Sequence, residues 1–131
     1  MASYESNKDA VLKAINDSKQ RALESIGLYV EGQAKVLCPV DDGNLRGSIT
    51  HETKTDHVVV GTNVEYAIWV EKGTGKHQVD GQGRKTPWSY KNKKGEFVTT
   101  QGQKPQPFLT PAAENNVGSI EELARREMSK L

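Results

Sequence analysis

Apolar residues recur at intervals of three and four over the first third of the chain, which predicts one long amphipathic helix over residues 5–37. Pro39 ends this helix, because proline has no backbone N–H and disfavours helical geometry in the residue before it. Gly27 and Gly32 are the positions at which the helix would bend or divide, since glycine costs about 1 kcal/mol relative to alanine. A helix of this length spans roughly 45–50 Å, so part of it is expected to pack outside one small core. The stripe consists of Val11, Ile15, Ala22, Ile26, Val30, Ala34 and Leu37.

The pattern changes to short β-rich runs after the turn signals at Asp41–Asn44. Extended segments are predicted over Leu45–His51 and His57–Val60, and a further strand over Tyr66–Val70. β-Branched and aromatic residues favour strands because they suit a half-buried, pleated surface. Residues 45–71 are therefore predicted to form the sheet core.

Residues 72–106 are rich in glycine and lysine and contain a second β pattern. Trp88–Tyr90 and Glu96–Thr99 flank a turn at Lys91–Gly95, which predicts a projecting β-hairpin. Loops of this length in a small domain are usually functional or disordered until they bind. The segment is therefore interpreted as a flexible basic arm.

The last part of the chain predicts a second helix over residues 110–131. Thr110 suits the N-cap position and Pro111 the first helical position. Pro105–Leu109 precedes them as an extended linker. The order of elements predicts an α+β fold: a long N-terminal helix, a small antiparallel β-sheet with a long protruding hairpin, and a C-terminal helix packed on the sheet. The apolar stripe of the second helix is Ala113, Val117, Ile120, Ala124, Met128 and Leu131.

Size and composition favour a single domain over residues 1–131 that completes its core by association. Hydrophobic residues make up 34% of the chain, below the usual range of about 45–50%, which counts glycine as apolar. The net charge of +1 is unevenly distributed. Residues 38–71 carry two basic and six acidic side chains, for −4, whereas residues 72–104 carry eight and two, for +6. Such blocks suit contacts with further copies or with a partner protein, and a solvated lysine-rich loop is an equally good explanation.

A phosphate-binding loop at Gly73–Lys76 is excluded by its neighbours. The motif requires an earlier glycine, where Val70 stands, and a serine or threonine after the lysine, where His77 stands. A turn after a strand explains the segment better.

Catalysis, cofactor binding and metal binding have little support elsewhere in the chain. No two histidines have the helical spacing of zinc ligands, although His51 and His57 could approach each other across a turn. A lone cysteine fits a small buried side chain and a reducing compartment. Adjacent carboxylates rarely converge on one proton or metal ion. We therefore expect neither enzymatic activity nor a resident cofactor or metal. The residues considered are His51, His57, His77, Cys38, Asp41 and Asp42.

The basic arm contains the best candidates for partner binding. Aromatic side chains could stack on bases while cations contact phosphates. Against this, the rest of the chain sums to −5 and no standard nucleic-acid motif is present. Aromatic residues on a hairpin more often stabilise it or insert into a neighbouring protein. The candidate residues are Lys76, Arg84, Lys85, Trp88, Tyr90, Lys91, Lys93, Lys94 and Phe97.

Three segments, in order, resemble the tail-completion (head–tail joining, or neck) proteins of long-tailed bacteriophages, the siphophages. Pro39–Ile49 is similar to "P-V-D-T-G-x-L-R-x-S-I", Val60–Gly75 to "V-G-x-x-x-x-Y-A-x-x-V-E-x-G-T-G", and Pro105–Ala112 to "P-x-P-F-L-R-P-A". Asp42 stands where threonine is common and Thr110 where arginine is common, which removes one positive charge. Residues of these segments expected to have structural roles are Gly43, Leu45, Gly61, Tyr66, Gly73, Gly75, Pro107, Phe108 and Pro111.

The resemblance implies a non-enzymatic structural protein of the virion. Such proteins form a ring, typically a hexamer, between the head connector and the tail tube, and DNA passes through its lumen. The implied partners are further copies of the chain, the head-completion or connector protein and the tail tube protein, with no membrane involved. The implied location is the head–tail interface of the virion, after assembly in the host cytoplasm. The alternatives are a tail terminator, a head-closure component, or a non-specific nucleic-acid-binding module that uses the basic arm over residues 72–104.

Overall fold

The fold is α+β, as predicted, and a computed structural model of the chain describes it for residues 7–40 and 43–130. The helices and strands follow one another as α1 (Lys8–Leu37), α2 (Asn44–Ser48), β1 (Thr50–Thr53), β2 (Val58–Gly61), α3 (Ala67–Lys72), a 3₁₀ turn (Gly75–His77), β3 (Trp88–Lys91), β4 (Phe97–Thr100), α4 (Leu109–Glu114) and α5 (Val117–Met128). The turn signals at Asp41 and Asp42, and Leu131 of the second stripe, lie outside the described residues.

Helix α1 runs without a break through both glycines. Gly27 is buried, and a Cβ atom built there would lie 2.7 Å from Cδ2 of His51 and 2.6 Å from Cγ2 of Val58. The absence of a side chain therefore lets the β1–β2 hairpin pack directly on the helix. Gly32 faces open space. The helix ends at Leu37 because Cys38, the residue before Pro39, is extended with ψ 132°.

The strands form two separate antiparallel pairs rather than one sheet. In one pair, His51 lies opposite Val60, and in the other Tyr90 lies opposite Val98. The predicted strand at Tyr66–Val70 is wrong, because this segment enters helix α3. Ala67 is buried and Val70 is partly buried, three residues apart, which is a helical spacing rather than the alternation of a strand.

The predicted extended segment Leu45–His51 is helical over its first part. Leu45 and Ile49 are both buried and lie four residues apart, so helix α2 and its C-cap turn them to the same side, and the strand starts only at Thr50.

The buried core lies where α1, α2, α3 and α4 converge. Phe108 and Ile49 are its largest fully buried side chains. Helices α4 and α5 replace the single predicted C-terminal helix, because the chain breaks at Asn115 and Asn116. The core residues are Val30, Ala34, Cys38, Leu45, Ile49, Ala67, Phe108 and Ala112.

The C-terminal helix packs along α1 instead of on the sheet, which corrects the predicted arrangement. The hydroxyl of Ser18 is fully buried in this contact and donates to the carbonyl oxygen of Glu127, 2.9 Å away. The two β-strand pairs are too short to offer a face that a twelve-residue helix could cover, whereas α1 provides a long stripe. No helix among the described residues is long and apolar enough to cross a membrane.

Candidate partner-binding site

The basic arm leaves and rejoins the body of the protein at a hydrogen-bonded root. The backbone N–H of Thr74 donates to the carbonyl oxygen of Gln103 at 2.9 Å, and the N–H of Lys76 donates to that of Gln101 at 3.1 Å. The N–H of Gln103 donates in turn to the hydroxyl of Thr74 at 2.9 Å. The outgoing and returning segments are thus paired where the sequence suggested only a turn.

Glycines make this close pairing possible. Gly75 and Gly102 have φ angles of 62° and 108°, a region that other residues rarely adopt. A Cβ atom on Gly75 would collide with the carbonyl oxygen of Gln101, and one on Gly102 with that of Thr74. The root therefore has no room for side chains at these two positions.

The hairpin within the arm presents two different faces. The cross-strand pairs Trp88–Thr100 and Tyr90–Val98 lie on one face, and the pair Lys91–Phe97 lies on the other. The side chain of Phe97 is 79% exposed. The aromatic residues singled out from the sequence therefore do not form one stacking surface, because the period of a strand places Phe97 opposite Trp88 and Tyr90.

The cations of the arm are available for a partner. All of those proposed for partner binding are exposed, and none forms an ion pair within the described part of the chain. Lys93 and Lys94 lie in the hairpin turn, which is closed by Asn92: its side-chain oxygen accepts the N–H groups of Lys94 and Glu96, both at 2.9 Å. The guanidinium of Arg84 lies 5.8 Å from the ring centroid of Trp88. The cations that form no ion pair with any described residue are Lys76, Arg84, Lys85, Lys91, Lys93 and Lys94, and Arg84 lies over the indole ring of Trp88.

Both tryptophans of the chain line one groove at the root of the arm. The groove measures about 230 Å³ and lies between Trp69, Trp88 and Arg84. A neighbouring groove of about 280 Å³ is also lined by Trp69, together with Tyr66 and Lys104. Trp69 was missed as a site residue because it was assigned to a strand of the core; its position two residues after the buried Ala67 on helix α3 leaves it 48% exposed.

The residues expected to have structural roles fall into different environments. Leu45 and Phe108 lie in the core. Gly43 adopts a φ of 77° before α2, and Gly73 one of 82° after α3, against Pro105. A Cβ atom on Gly61 would contact nothing, and a larger side chain would therefore fit at this position. The others are Tyr66, which is 41% exposed, Gly75 in the root, Pro107, which is exposed, and Pro111, the third residue of α4.

Glu71 caps helix α4 from a distant part of the chain. Its carboxylate accepts the backbone N–H groups of Phe108 at 2.7 Å, Thr110 at 2.8 Å and Leu109 at 3.1 Å. Burial alone would raise the pKa of Glu71, but these hydrogen bonds outweigh it and lower the pKa below the usual glutamate value. The predicted cap, Thr110, is instead the second residue of the helix. The contact ties the start of the arm to the linker that follows it.

The described residues contain no group of three histidine, cysteine or acidic side chains that could hold a metal ion. His51 contacts Glu24 and Glu31, and His57 contacts Asp56, so the two histidines do not meet. Burial raises the pKa of the Cys38 thiol.

Comparison with known proteins identifies a match to one family model. Residues 3–73 match the model described as "Bacteriophage HK97-gp10, putative tail-component". The match includes Pro39–Ile49 and Val60–Gly73 of the resemblance noted in the sequence, whereas Thr74, Gly75 and the Pro105–Ala112 segment lie beyond it. The searches of curated proteins and of solved structures found no significant match.

Proposed function

The chain belongs to the HK97-gp10-like family of bacteriophage tail components, and on that basis we propose that it is the tail-completion protein that joins the tail to the head. This match confirms the family that the sequence resembles. A tail component is a structural protein of the virion. The proposal adds a position, a ring between the head connector and the tail tube, and a task, joining the two.

The observation that carries the proposal is the arm on its paired root. The hairpin β3–β4 makes its main contacts between its own two strands. It presents the exposed side chain of Phe97 and exposed cations that pair with no described residue. A hydrogen-bonded root with an exposed tip suits docking to another protein, because the root attaches the hairpin to the body and the tip supplies charge and an aromatic anchor. We assign the arm to contact with a neighbouring subunit, the connector or the tail tube.

Helix α1 supports assembly into a ring. Its first turns, Lys8–Asp17, are exposed along their whole length, and Val11, Leu12 and Ile15 are 53%, 46% and 38% exposed. An isolated helical segment of this length is marginal in water, so packing against another copy would stabilise it. Six copies, typical of the family resembled, would form the proposed ring.

Electron microscopy of particles assembled without this protein tests the proposal. We expect full heads and complete tails that are not joined. Complete virions in normal numbers would contradict it. Tails of uncontrolled length would instead support a tail terminator, and heads that lose their DNA would support a head-closure component.

The part played by the arm can be tested without removing its root. In the first variant, Lys91, Lys93 and Lys94 are replaced by glutamine, and the expected result is a folded protein that joins fewer heads to tails. A control variant replaces three lysines outside the arm by glutamine: Lys54 and Lys130, which already have ion-pair partners, and Lys19 of α1. Equal joining by both variants would contradict docking by the arm tip.

A non-specific nucleic-acid-binding module is the second candidate, favoured by the same unpaired cations. Binding of this kind neutralises phosphates and weakens steeply with salt. Purified protein that shifts duplex DNA at about 150 mM salt, and loses the shift in the triple glutamine variant, would support it. In the proposed ring, DNA only passes through the lumen, so we expect no shift at that salt concentration.

A further inference from the structure

His51 on strand β1 is held between two carboxylates of helix α1. Its Nε2 atom lies 2.8 Å from Oε1 of Glu24, and its Nδ1 atom lies 3.1 Å from Oε1 of Glu31. The side chain of His51 is 13% exposed. One imidazole ring therefore bridges two helical turns of α1 and attaches the β1–β2 hairpin to them.

The protonation state of this ring follows from counting donors. An ionised carboxylate only accepts hydrogen bonds, and a neutral imidazole has one donor and one acceptor nitrogen. Both observed contacts can be hydrogen bonds only when both ring nitrogens carry a proton. With a neutral ring, one nitrogen lone pair would face a carboxylate oxygen at about hydrogen-bond distance, and that contact would become repulsive.

The surroundings of His51 keep the ring in place and contain few other charges. Gly27 lies on α1 between the two glutamates, and the ring occupies the space that a side chain would need: Cδ2 of His51 lies 2.7 Å from the position of a Cβ atom there. Thr53 donates its hydroxyl to the second oxygen of Glu24 at 2.7 Å. Lys35 lies 3.6 Å from the second oxygen of Glu31.

The remaining neighbours do not replace this bridge. From β2, Val58 packs at the same glycine and Val60 lies opposite His51, and neither carries a charge. On the outer side of Glu24, Arg21 and Glu127 line the adjoining groove and pair with each other at 3.7 Å.

We propose that His51 is a proton-dependent latch: its charged ring holds the β1–β2 hairpin on α1, and loss of one proton releases one of the two bridges and loosens the hairpin. The device is independent of the proposed role in head–tail joining. It depends only on the ring, the two glutamates and the glycine between them.

The direction of the pH dependence follows from the same contacts. The hydrogen bond to Glu24 raises the pKa of His51, burial opposes it, and the hydrogen bond to Glu31 raises it further, so that the pKa lies above the ordinary 6.5. While both glutamates are ionised, the latch is therefore fully closed below about pH 6.5 and opens as the pH rises through the folded-state pKa of His51. For each unit by which that pKa exceeds the unfolded value, the equilibrium constant for closing the latch is about tenfold larger with the charged ring than with the neutral ring.

Two measurements on the full chain test the latch. The first is an NMR titration of the His51 ring carbons in the unmodified chain and in a Glu31→Gln variant. We expect a pKa for His51 above the ordinary 6.5 in the unmodified chain, and a lower pKa in Glu31→Gln. A pKa for His51 at or below 6.5 in the unmodified chain, or one that does not change in the variant, would overturn the proposal.

The second measurement is the hydrogen-exchange rate of the hairpin amides. The intrinsic rate at each pH, divided by the measured rate, gives the protection of each amide. Protection of β1 and β2 should fall as the pH rises through the pKa of His51, while protection in the middle of α1 stays constant. The pH dependence should vanish in a His51→Gln variant and persist in a His57→Gln variant. Constant protection of the hairpin across that range would show that the histidine is only a packed side chain. A pH dependence that persists in His51→Gln would show the same.

Discussion

Glu71 is the side chain whose removal should reveal most about how the arm is attached to the body. It lies at the end of α3, immediately before the root of the arm, and accepts three backbone N–H groups at the start of α4. We predict that Glu71→Ala destabilises the protein strongly and that Glu71→Gln does so to a smaller extent.

The magnitude follows from the hydrogen bonds. One hydrogen bond to a charged group contributes about 1.5–3 kcal/mol, and a lost N-cap costs about 0.5–2 kcal/mol. The energies of the three hydrogen bonds are not additive, because the bonds share one carboxylate and water reaches the N–H of Thr110 after the substitution. We therefore expect a loss of about 2–4 kcal/mol in the free energy of unfolding for Glu71→Ala, since the buried N–H of Phe108 is left without an acceptor. For Glu71→Gln we expect about 1–2 kcal/mol, because the amide keeps one accepting oxygen.

Urea denaturation followed by circular dichroism measures both losses. Glu65→Ala is the matched control: Glu65 is exposed, lies in the preceding turn and carries the same charge. A Glu71→Ala variant as stable as Glu65→Ala would refute the capping role.

The pH dependence of the Glu71 effect gives a further check on its physical cause. Because the folded-state pKa of Glu71 is depressed, its contribution is present above the ordinary value of 4.5 and is lost as the pH falls through the folded-state pKa. The difference in stability between the unmodified chain and Glu71→Gln should therefore narrow in acid. A difference that stays constant down to the pH of acid unfolding would rule out a charged cap.

Three further predictions concern the glycines and the cysteine. Gly27→Ala should destabilise the protein by about 1–3 kcal/mol, because the added methyl group would overpack against the hairpin. Gly32→Ala, which faces open space, should instead stabilise it by up to about 1 kcal/mol. Equal effects of the two substitutions on thermal unfolding would contradict this difference. Gly75→Ala should cost about 1–3 kcal/mol in the same assay, since the position has a positive φ and no room, and an unchanged melting temperature would show that the root is not packed as described. Cys38 should react slowly with a thiol reagent until the protein unfolds, because it is buried and its pKa is raised; rapid reaction of the folded chain would contradict its place in the core.

The long helix and the hairpin were predictable from the sequence because their signals are local. The stripe from Val11 to Leu37 repeats with the period of a helix, and Pro39 marks its end. Trp88–Lys91 and Phe97–Thr100 flank a turn with an asparagine and a glycine, and they pair as predicted.

The elements that were missed depend on contacts between distant parts of the chain. The run from Ala67 to Val70 is equally compatible with a strand and with a buried helical turn, and the core around Phe108 selects the helix. Glu71 caps a helix that starts 38 residues later, so no local pattern at Thr110 could reveal it. The α1–α5 contact depends likewise on the tertiary placement of Ser18 against the end of the chain.

The candidate site was predictable in composition but not in geometry. The charges of the arm are visible in the sequence, whereas the separation of Phe97 from Trp88 and Tyr90 depends on the strand register. The shared groove of Trp69 and Trp88 depends on the paired root, which brings residues 74–76 next to residues 101–103.

Whether this chain joins tails to heads can be measured by adding the purified protein to a mixture of DNA-filled heads and complete tails assembled without it. Joined particles are then counted by electron microscopy, with and without the protein. We expect few joined particles at first and a rise that saturates as the protein occupies every head–tail interface. Heads and tails that join equally well without the protein, or that stay apart when folded protein is added, would contradict the proposed function.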